Sequence, residues 1–425
     1  MKPYPAYKDS GVEWLGKVPE GWEVKRLRHI VRLQTEKATT TQNPIALENI
    51  EGWSGRIVET DTEFEGNGVA FDVGDILFGK LRPYLAKVAV AEAGGEAVGD
   101  FHVLRPSGDV LSRFLQLELL TPSVISTIDS STYGSKMPRV SWEFMADLRF
   151  PLPPLPEQQA IAAFLDRETA KIDGLIEEQR RLIALLAEKR QTTISHAVTR
   201  GLNPDASLKP SGVEWLGDIP EGWEVQKLKY LGEAITGLTY SPDDVDDAGL
   251  LVLRSSNVQG GRICLEDNVY VASVVPERLL ARQGDILICS RNGSRALIGK
   301  NAVIEGEAVN KTWGAFMTMF RGDMNDFLYF VMNSAIFQYQ SASFLTSTIN
   351  QLTIGNLNSM EVPVPAREEQ REIIDYLQKV TAQLDTLTET AASAITLLQE
   401  RRSALISAAV TGKIDVRGLA PAKAA

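Results

Sequence analysis

The chain has 425 residues, a net charge of −11 at pH 7, 44% hydrophobic residues and 23% charged residues. This length suggests two or three domains with substantial cores, and the sequence contains no apolar run of the ~18 residues that a membrane span needs. The two cysteines, Cys264 and Cys289, are too few for a disulfide framework and lack CxxC spacing. Because the N-terminal segment lacks the apolar core of a signal peptide, we expect a cytoplasmic protein.

The first feature along the chain is a segment that occurs twice. Residues 10–24 read SGVEWLGKVPEGWEV and residues 211–225 read SGVEWLGDIPEGWEV. Further on, the strand-like GDIL of residues 74–77 returns at residues 284–287. A self-similarity of this length indicates two copies of one structural plan. In each copy a similar lead-in is followed by a divergent body and a similar end.

The two bodies are rich in short strand patterns. The first contains GDILF, KVAVAE and HVLRP, and the second contains LLVLR, GDILIC and NAVIE, with Gly, Asn and Asp turns between them. Helical patterns are few and occupy about residues 110–128 and 325–342. We therefore predict two mixed α/β domains, each with a curved sheet.

Basic residues cluster after GDIL in the first body. Residues 76–91 contain no acidic residue, and a second polar loop precedes the proline-rich end of the body. Arg, Lys, Ser and Tyr on loops are residue types that hold phosphates and contact base edges. We expect DNA contacts from two groups of side chains: Lys80, Arg82, Tyr84 and Lys87, then Tyr133, Ser135, Lys136 and Arg139.

Long helices end the two copies. Each follows a proline-rich segment, PLPPLPEQ or PVPAREEQ, and proline is tolerated at a helix start but not inside a helix. Apolar residues recur at steps of four and three, which is a heptad pattern. We expect the helices to pack antiparallel through Ile161, Leu165, Ile172, Leu175, Leu182, Leu186, Ile373, Leu377, Leu384, Leu387, Leu398 and Leu405. The alternative is that each helix packs only on its own body.

The second body carries candidate loops at the matching positions. One follows its GDIL, and the other precedes its proline-rich segment. The candidate side chains are Arg291, Asn292, Ser294, Arg295, Lys300, Asn350 and Gln351. A solvated surface loop is the alternative for each, but the matching positions in two copies favour a binding role.

Catalytic patterns are missing from the sequence. The three histidines form no Ser/His/Asp set and no metal-ligand spacing. Residues 293–301 approach a phosphate-binding loop but have one residue too many between the glycines and Asn301 at the magnesium position. The acidic residues at 243–247 fit a solvated loop better than a metal site. We predict no catalytic, cofactor or metal site, and so a binding protein rather than an enzyme.

The chain resembles a known family, the DNA-sequence specificity subunits of type I restriction–modification systems. The resemblance rests on GVEWLGxxPEGWEVxxL, which occurs twice, on VGDILFGKLRPYLAK and FHVLRP, and on FPLPPLPEQQAIAAFLDRETAKID followed by LLAEKRQTTISHAVTRGL. It covers essentially the whole chain. Lys80, Arg82 and Tyr84 match the family segment after GDIL, whereas CSRNGSRALIGK in the second copy departs from it.

The resemblance implies an architecture and a function. Residues 1–155 would form the first target recognition domain, 156–200 a central helix, 201–365 the second recognition domain, 366–415 a C-terminal helix and 416–425 a tail. Each recognition domain would read one half of a split, asymmetric site in double-stranded DNA. The helix pair would separate the domains and dock two methyltransferase subunits. These partners, not this chain, would bind S-adenosylmethionine and methylate adenine N6, and motor–nuclease subunits would join through them.

Three alternatives remain open. One is a two-headed protein-binding scaffold without a DNA role, which the net negative charge favours. Another is a metal-dependent enzyme that uses the acidic residues at 243–247. The third is a related stand-alone system in which specificity and modification chains pair differently. If the family function holds, we expect the partners to supply much of the positive charge, because the isolated chain is acidic.

Overall fold

The computed structural model describes residues 2–39, 43–60, 68–134, 136–272, 274–344 and 350–419. The chain divides into two compact units. Unit 1 consists of Met1–Arg180 and Ser393–Ala425, and unit 2 consists of Arg181–Ala392. Each unit therefore combines one body of the repeat with parts of both long helices.

Unit 1 is built around an antiparallel sheet of four strands. Its strands are β1 (Tyr7–Asp9), β2 (Lys17–Pro19), β3 (Glu23–Arg26), β4 (Val31–Gln34), β5 (Pro44–Ile45), β6 (Val69–Phe71), β7 (Ile76–Gly79), β8 (Val88–Val90), β9 (Gly95–Ala97), β10 (Phe101–Pro106) and β11 (Arg149–Leu152). The helices that begin in this unit are α1 (Ser112–Leu119), α2 (Pro122–Ser130), α3 (Trp142–Asp147) and α4 (Leu155–Arg200). The main sheet has the order β4-β10-β7-β8, and a smaller sheet has the order β5-β9-β6.

Unit 2 repeats this plan with additional strands. Its strands are β12 (Leu208–Pro210), β13 (Asp218–Pro220), β14 (Glu224–Lys227), β15 (Glu233–Thr236), β16 (Val245–Asp246), β17 (Leu250–Leu253), β18 (Val258–Gln259), β19 (Arg262–Ile263), β20 (Tyr270–Val271), β21 (Ile286–Cys289), β22 (Asn301–Val303), β23 (Thr312–Trp313), β24 (Met317–Arg321) and β25 (Glu361–Val364). The remaining helices are α5 (Asn325–Met332), α6 (Ala335–Phe344), α7 (Ile354–Ser359) and α8 (Arg367–Val410). The main sheet, β15-β24-β21-β22, matches that of unit 1 strand for strand.

The repeated GDIL forms the start of a strand that is buried on both faces. Successive side chains of a strand point to opposite faces. Accordingly, Ile76 and Phe78 join the core cluster that includes residues of α1 and α2, whereas Leu77 joins the cluster under the smaller sheet. In β21 the same alternation places Cys289 in a hydrophobic core, where it behaves as a small apolar side chain. Burial on both faces explains why this strand lacks a polar alternation in sequence.

The Gly-Asp that precedes this strand forms a turn in both units, and its buried aspartate pairs with an arginine of the neighbouring strand. Gly74 and Gly284 adopt φ values of +87° and +83°, a left-handed conformation that suits glycine. Asp75 accepts hydrogen bonds from Arg105 at 2.8 and 2.7 Å. Asp285 accepts them from Arg321 at 2.9 and 2.6 Å. The pair ties the start of the strand to the neighbouring strand and so fixes the origin of the basic loop that follows.

The long helices pack antiparallel in each unit. In unit 1 the start of α4 shares a core cluster with the end of α8, and Arg402 donates a hydrogen bond of 2.9 Å to Asp173. In unit 2 the end of α4 shares a cluster with the start of α8, and Arg190 pairs with Asp385. Asp173 and Asp385 lie 212 residues apart, as do Arg190 and Arg402, so the two ion pairs are one repeated contact. The predicted antiparallel pair of long helices is confirmed.

The seam of this pair differs from the predicted heptad register. Leu175, Leu182 and Leu387 are exposed, whereas Ile176 is buried. In α4 the positions 158, 161, 165, 169, 172 and 176 are all buried, and the same series 212 residues later in α8 is buried at every position except Thr388, which is half-buried. This series contains two consecutive steps of four residues and repeats every eleven residues. An eleven-residue repeat corresponds to about 3.67 residues per turn, which is closer to the 3.6 of an α-helix than the 3.5 of a strict heptad. The seam is therefore shifted by one residue at the three leucines. Leu398 and Leu405 are half-buried, and the other seven predicted seam residues are buried.

The repeated lead-in packs on a helix end in each unit. Gly412, just after α8, and Gly201, just after α4, adopt φ values of +72° and +73°, as expected at a helix C-terminus. A Cβ atom at Gly412 would lie 2.4 Å from Pro19 and 3.2 Å from the ring of Trp22. In unit 2, one at Gly201 would lie 3.4 Å from the ring of Trp223. Trp22 and Trp223 are thus buried packing residues of the repeated plan.

Candidate nucleic-acid interface

The two candidate loops of unit 1 lie side by side. The backbone N–H of Arg82 donates to the carbonyl of Pro138 at 2.8 Å, and that of Val140 donates to the carbonyl of Lys80 at 3.0 Å. Between these bonds, Leu81 and Arg139 form an antiparallel bridge. The loop after β7 and the loop before α3 therefore form one surface, although the paired residues lie about sixty positions apart in sequence.

Unit 2 repeats the arrangement bond for bond. The backbone N–H of Leu352 donates to the carbonyl of Ser290 at 2.8 Å, Arg291 and Gln351 form the antiparallel bridge, and the N–H of Asn292 is 3.5 Å from the carbonyl of Asn350. Lys80, Leu81 and Arg82 thus correspond to Ser290, Arg291 and Asn292. On the second loop, Arg139 corresponds to Gln351. We call these two surfaces the paired loops of each unit.

Four of the eight predicted side chains of unit 1 are exposed on the paired loops. Arg82, Tyr84, Tyr133 and Lys136 are exposed. Arg139 is half-buried and donates hydrogen bonds of 3.1 and 2.8 Å to Asp100, while Lys80 lies 3.7 Å from the same carboxylate. Ser135 lies outside the described residues. Arg82 itself adopts a left-handed φ of +50°, so the chain turns sharply where this side chain projects.

The corresponding side chains of unit 2 are more strongly engaged with the backbone. Asn292 donates to the hydroxyl of Ser255 at 3.1 Å and accepts from the N–H of Ser294 at 2.9 Å. The Asn350 amide donates to the carbonyl of Gly293 at 3.1 Å, and Arg295 donates to the carbonyl of Ala342 at 3.3 Å. These bonds order the loop.

Two predicted contact residues, Lys87 and Lys300, anchor a turn in their own unit. The Lys87 ammonium donates to the carbonyl of Leu47 at 2.6 Å, and that of Lys300 donates to the carbonyl of Ser255 at 3.1 Å. Each carbonyl belongs to the first residue of a short 3₁₀ helix, Leu47–Asn49 or Ser255–Asn257. The two lysines therefore have a repeated structural role that the sequence pattern did not indicate.

One position of the interface did not emerge from the sequence. The backbone carbonyl of Asp100 accepts from Lys80 at 2.8 Å, and that of Phe316 accepts from Ser290 at 3.1 Å, so Asp100 and Phe316 correspond. The hydrogen bond and charge of Arg139 hold the pKa of Asp100 below its usual range. Phe316 is exposed and carries the guanidinium of Arg291 at 5.1 Å from its ring centre. Both residues orient cations next to the paired loops, one by charge and the other by its ring.

Within the described part of the chain, no group of three His, Cys, Asp or Glu residues has the geometry of a metal site. None of the helices described there combines the length and the hydropathy that a membrane span requires. What the paired loops offer is hydrogen-bond donors, acceptors and cations.

Comparison with known proteins agrees with this geometry. A family model described as the type I restriction modification DNA specificity domain matches residues 19–183 and 220–397. The chain belongs to this family. The two matches coincide with the two copies of the repeat, so the resemblance seen in the sequence is confirmed. As a member of the specificity family, the chain is a non-catalytic subunit with a role in DNA sequence specificity.

Relatives of the type I specificity family match over lengths from about half of the chain to nearly all of it. The "type I restriction enzyme MjaVIII specificity subunit" of Methanocaldococcus jannaschii is 24% identical over 439 residues, which cover 95% of each chain. The "type I restriction enzyme EcoKI specificity subunit" of Escherichia coli is 26% identical over 207 residues, 47% of this chain and 44% of that protein.

A solved structure shares the fold. It is described as "Structural basis underlying complex assembly and conformational transition of the type I R-M system", is 21% identical, and has a TM-score of 0.67 over 93% of this chain and 99% of that chain. The mixed α/β architecture with a long central helix and a long C-terminal helix is therefore the fold of this family.

Proposed function

We propose that this specificity subunit reads a bipartite, asymmetric site in double-stranded DNA, with one half read by each unit's paired loops. The observation that carries this proposal is the bond-for-bond correspondence of the two loop pairs. The same backbone arrangement in two units provides two similar reading surfaces on one chain. Loops that present Arg, Lys, Asn, Gln and Tyr are suited to phosphates and base edges.

The proposed asymmetry follows from the side chains. Arg82 corresponds to Asn292, and Asp100 corresponds to Phe316. Because these pairs differ in charge and in hydrogen-bonding capacity, the two surfaces would prefer different base sequences. A site with two identical halves would call for two matching sets of side chains.

We also propose that the helix pair docks two methyltransferase subunits. Leu175 and Leu397 are exposed in unit 1, and Leu185 and Leu387 are exposed in unit 2. Each of these leucines directly precedes a seam position, so in an antiparallel pair the two leucines of a unit project from the same flank. Leu175 and Leu387 lie 212 residues apart, as do Leu185 and Leu397, which gives each unit an equivalent apolar patch. Exposed leucines on a helix flank are suited to a partner helix or groove.

The remaining parts of the proposal concern the partners. The methyltransferase subunits would bind S-adenosylmethionine and methylate adenine N6, and motor–nuclease subunits would join the complex through them. The chain would act in the cytoplasm, where the DNA is. Its net charge of −11 means that binding of DNA by the isolated chain would be weak and that partner subunits would supply much of the positive charge.

A genome-wide map of methylated adenines, made with and without the gene, tests the DNA-reading proposal. We expect one split motif, with two short defined halves and an undefined spacer, to lose its methylation when the gene is deleted. Restoring the gene should restore the same motif. An unchanged map in cells that express the methyltransferase subunit would favour the protein-binding scaffold.

Charges placed on the leucine patches should reduce the number of bound methyltransferases. In the variant L175E/L397E only the patch of unit 1 is altered, so we expect one methyltransferase per chain instead of two, as measured by native mass spectrometry. The reciprocal variant L185E/L387E should behave in the same way. Loss of one buried apolar anchor typically costs about 2 kcal/mol, or roughly thirtyfold in affinity.

A charge on the opposite flank is the matched control for the leucine patches. Gln399 is exposed and directly follows a seam position, so Q399E adds negative charge away from both leucines of unit 1. This variant should still bind two methyltransferases. Two bound methyltransferases in both leucine variants would show that docking occurs elsewhere.

A further inference from the structure

Arg139 and Gln351 occupy the same position in the two units. Arg139 bridges Leu81, and Gln351 bridges Arg291, in the same antiparallel arrangement. The neighbouring backbone hydrogen bonds also match. The N–H of Val140 donates to the carbonyl of Lys80 in unit 1, and the N–H of Leu352 donates to the carbonyl of Ser290 in unit 2. The two units therefore present different side chains, an arginine and a glutamine, from one backbone site at the centre of the paired loops.

The Arg139 guanidinium is oriented within its own unit. Its Nε and one Nη2 proton donate to the two carboxylate oxygens of Asp100 at 3.1 and 2.8 Å. A guanidinium has five N–H donors, so both Nη1 protons and the second Nη2 proton remain. These protons lie along the end of the planar group, where two parallel hydrogen bonds can form. Asp100 thus fixes the plane of Arg139 without using its outer edge.

Gln351 has a different environment at the equivalent position. Phe316 stands where unit 1 has Asp100, so no carboxylate holds the side chain. Among the described residues, the Gln351 side-chain amide makes no hydrogen bond, and the residue is half-buried. An amide presents one donor and one acceptor side by side. This pattern differs from the two donors that the edge of Arg139 offers.

We propose that Arg139 reads a guanine in one half-site and that Gln351 reads an adenine in the other. Guanine presents two acceptors in the major groove, O6 and N7, which match the two donors of arginine. Adenine presents the N7 acceptor and the N6 amino donor, which match the amide of glutamine. This inference rests on the proposed function and deepens it, because it assigns base identity to one repeated position.

A different role for Arg139 is a purely structural ion pair that holds Asp100 and the loop backbone. That role predicts lower stability on substitution but no change in the sequence that is methylated. Base reading predicts that the methylated sequence itself changes. The two roles are therefore separated by the identity of the motif and not by the amount of methylation.

The test exchanges the two residues, R139Q and Q351R, in the full chain assembled with its methyltransferase partner. Methylated adenines are then mapped across the genome. For R139Q we expect one guanine position, in one half only, to change its preference to adenine. For Q351R we expect an adenine position in the other half to change to guanine. The change in preference should be about tenfold or more, since a bidentate contact contributes ~1–3 kcal/mol of discrimination.

The variant D100N, which weakens the hold on Arg139, should relax discrimination at the guanine position and leave every other position of the motif unchanged. Unchanged motifs in both exchange variants, or a uniform decrease in methylation at every site, would overturn the assignment. If R139Q does not assemble with the methyltransferase, the result for Q351R decides.

The variant K136A separates failure of this inference from failure of the proposed function. Lys136 is an exposed cation on the same loop and is not part of the repeated position. If K136A lowers methylation while both exchange variants keep the original motif, the loops bind DNA but position 139/351 does not read bases. If none of the three variants changes the methylation map, the proposed role of the paired loops fails as well.

Discussion

Replacing Asp285 with asparagine should lower the free energy of unfolding of unit 2 by about 3 kcal/mol. Asp285 is buried, and it is the carboxylate that Arg321 contacts through two hydrogen bonds of 2.9 and 2.6 Å. The neutral amide would leave the Arg321 guanidinium largely buried without its counter-charge. Because β21 starts at this pair and leads directly into the loop that contains Arg291, we expect the variant also to lose methylation of the half-site read by unit 2.

The equivalent change in unit 1 is the matched control. In D75N the same turn is altered, but Arg105 is more exposed than Arg321, with 40% of its side chain accessible against 18%. Asp72 also remains as a second carboxylate at 2.6 Å. The loss should therefore be smaller, about 1 kcal/mol, since partly exposed ion pairs contribute little. Denaturation of both variants in urea would measure the difference. Equal losses would mean that burial of the pair does not set its contribution.

The sequence was sufficient to predict where structural elements begin and end, because local residue types determine these boundaries. The repeated lead-in, the repeated GDIL and the two proline-rich segments each mark an element boundary by residue type alone. The structure confirms two mixed α/β bodies and two long helices at these places. Similarly, the helical patterns at about residues 110–128 and 325–342 correspond to two helix pairs, α1 with α2 and α5 with α6. Pro122 begins α2, which places the break where proline fits a helix start.

Features that depend on contacts between distant residues could not be predicted in the same way. The leucine pattern at Leu175, Leu182 and Leu387 fits a heptad, but burial follows a longer repeat that places the seam one residue further along. The anchoring roles of Lys87 and Lys300 depend on carbonyls about forty residues away. Asp100 and Phe316 are different types of residue, and only the matching backbone hydrogen bonds show that they occupy equivalent positions in the two units. Side-chain identity indicated which residues could bind DNA, but not which of them the fold already uses.

Replacing Glu118 with leucine should stabilise unit 1 by about 2 kcal/mol near pH 5, and by more at higher pH. Glu118 lies in α1 and is buried, and neither carboxylate oxygen has a hydrogen-bond partner within the described residues. Unit 2 shows that an apolar residue fits this place. Gln116 donates to the carbonyl of Gly55 as Tyr329 donates to that of Gly261, so Glu118 corresponds to Val331. An uncompensated polar group in a core costs free energy that an aliphatic side chain does not.

The pH dependence of the stabilisation by E118L shows whether it comes from removing a buried ionisable group or only from better packing. Burial raises the pKa of Glu118 well above its usual value, while the unfolded chain titrates near its ordinary pKa of about 4.3. Above that pH the unfolded state releases a proton that the folded state retains. The stability of the wild-type chain therefore falls with rising pH until the folded pKa is reached. The advantage of E118L should grow by about 1.4 kcal/mol for each pH unit in that window.

Urea unfolding at pH 5.5, 6.5 and 7.5 would measure this growth, with E118Q as the control. Glutamine cannot ionise but keeps a buried polar group. Relative to the wild-type chain, E118Q should show the same pH dependence as E118L with a smaller stabilisation at every pH. A stabilisation by E118L that stays constant across the three values would mean that the folded carboxyl group titrates normally. In that case Glu118 would gain access to water or to a partner in solution, and its burial would not be a cost to the fold.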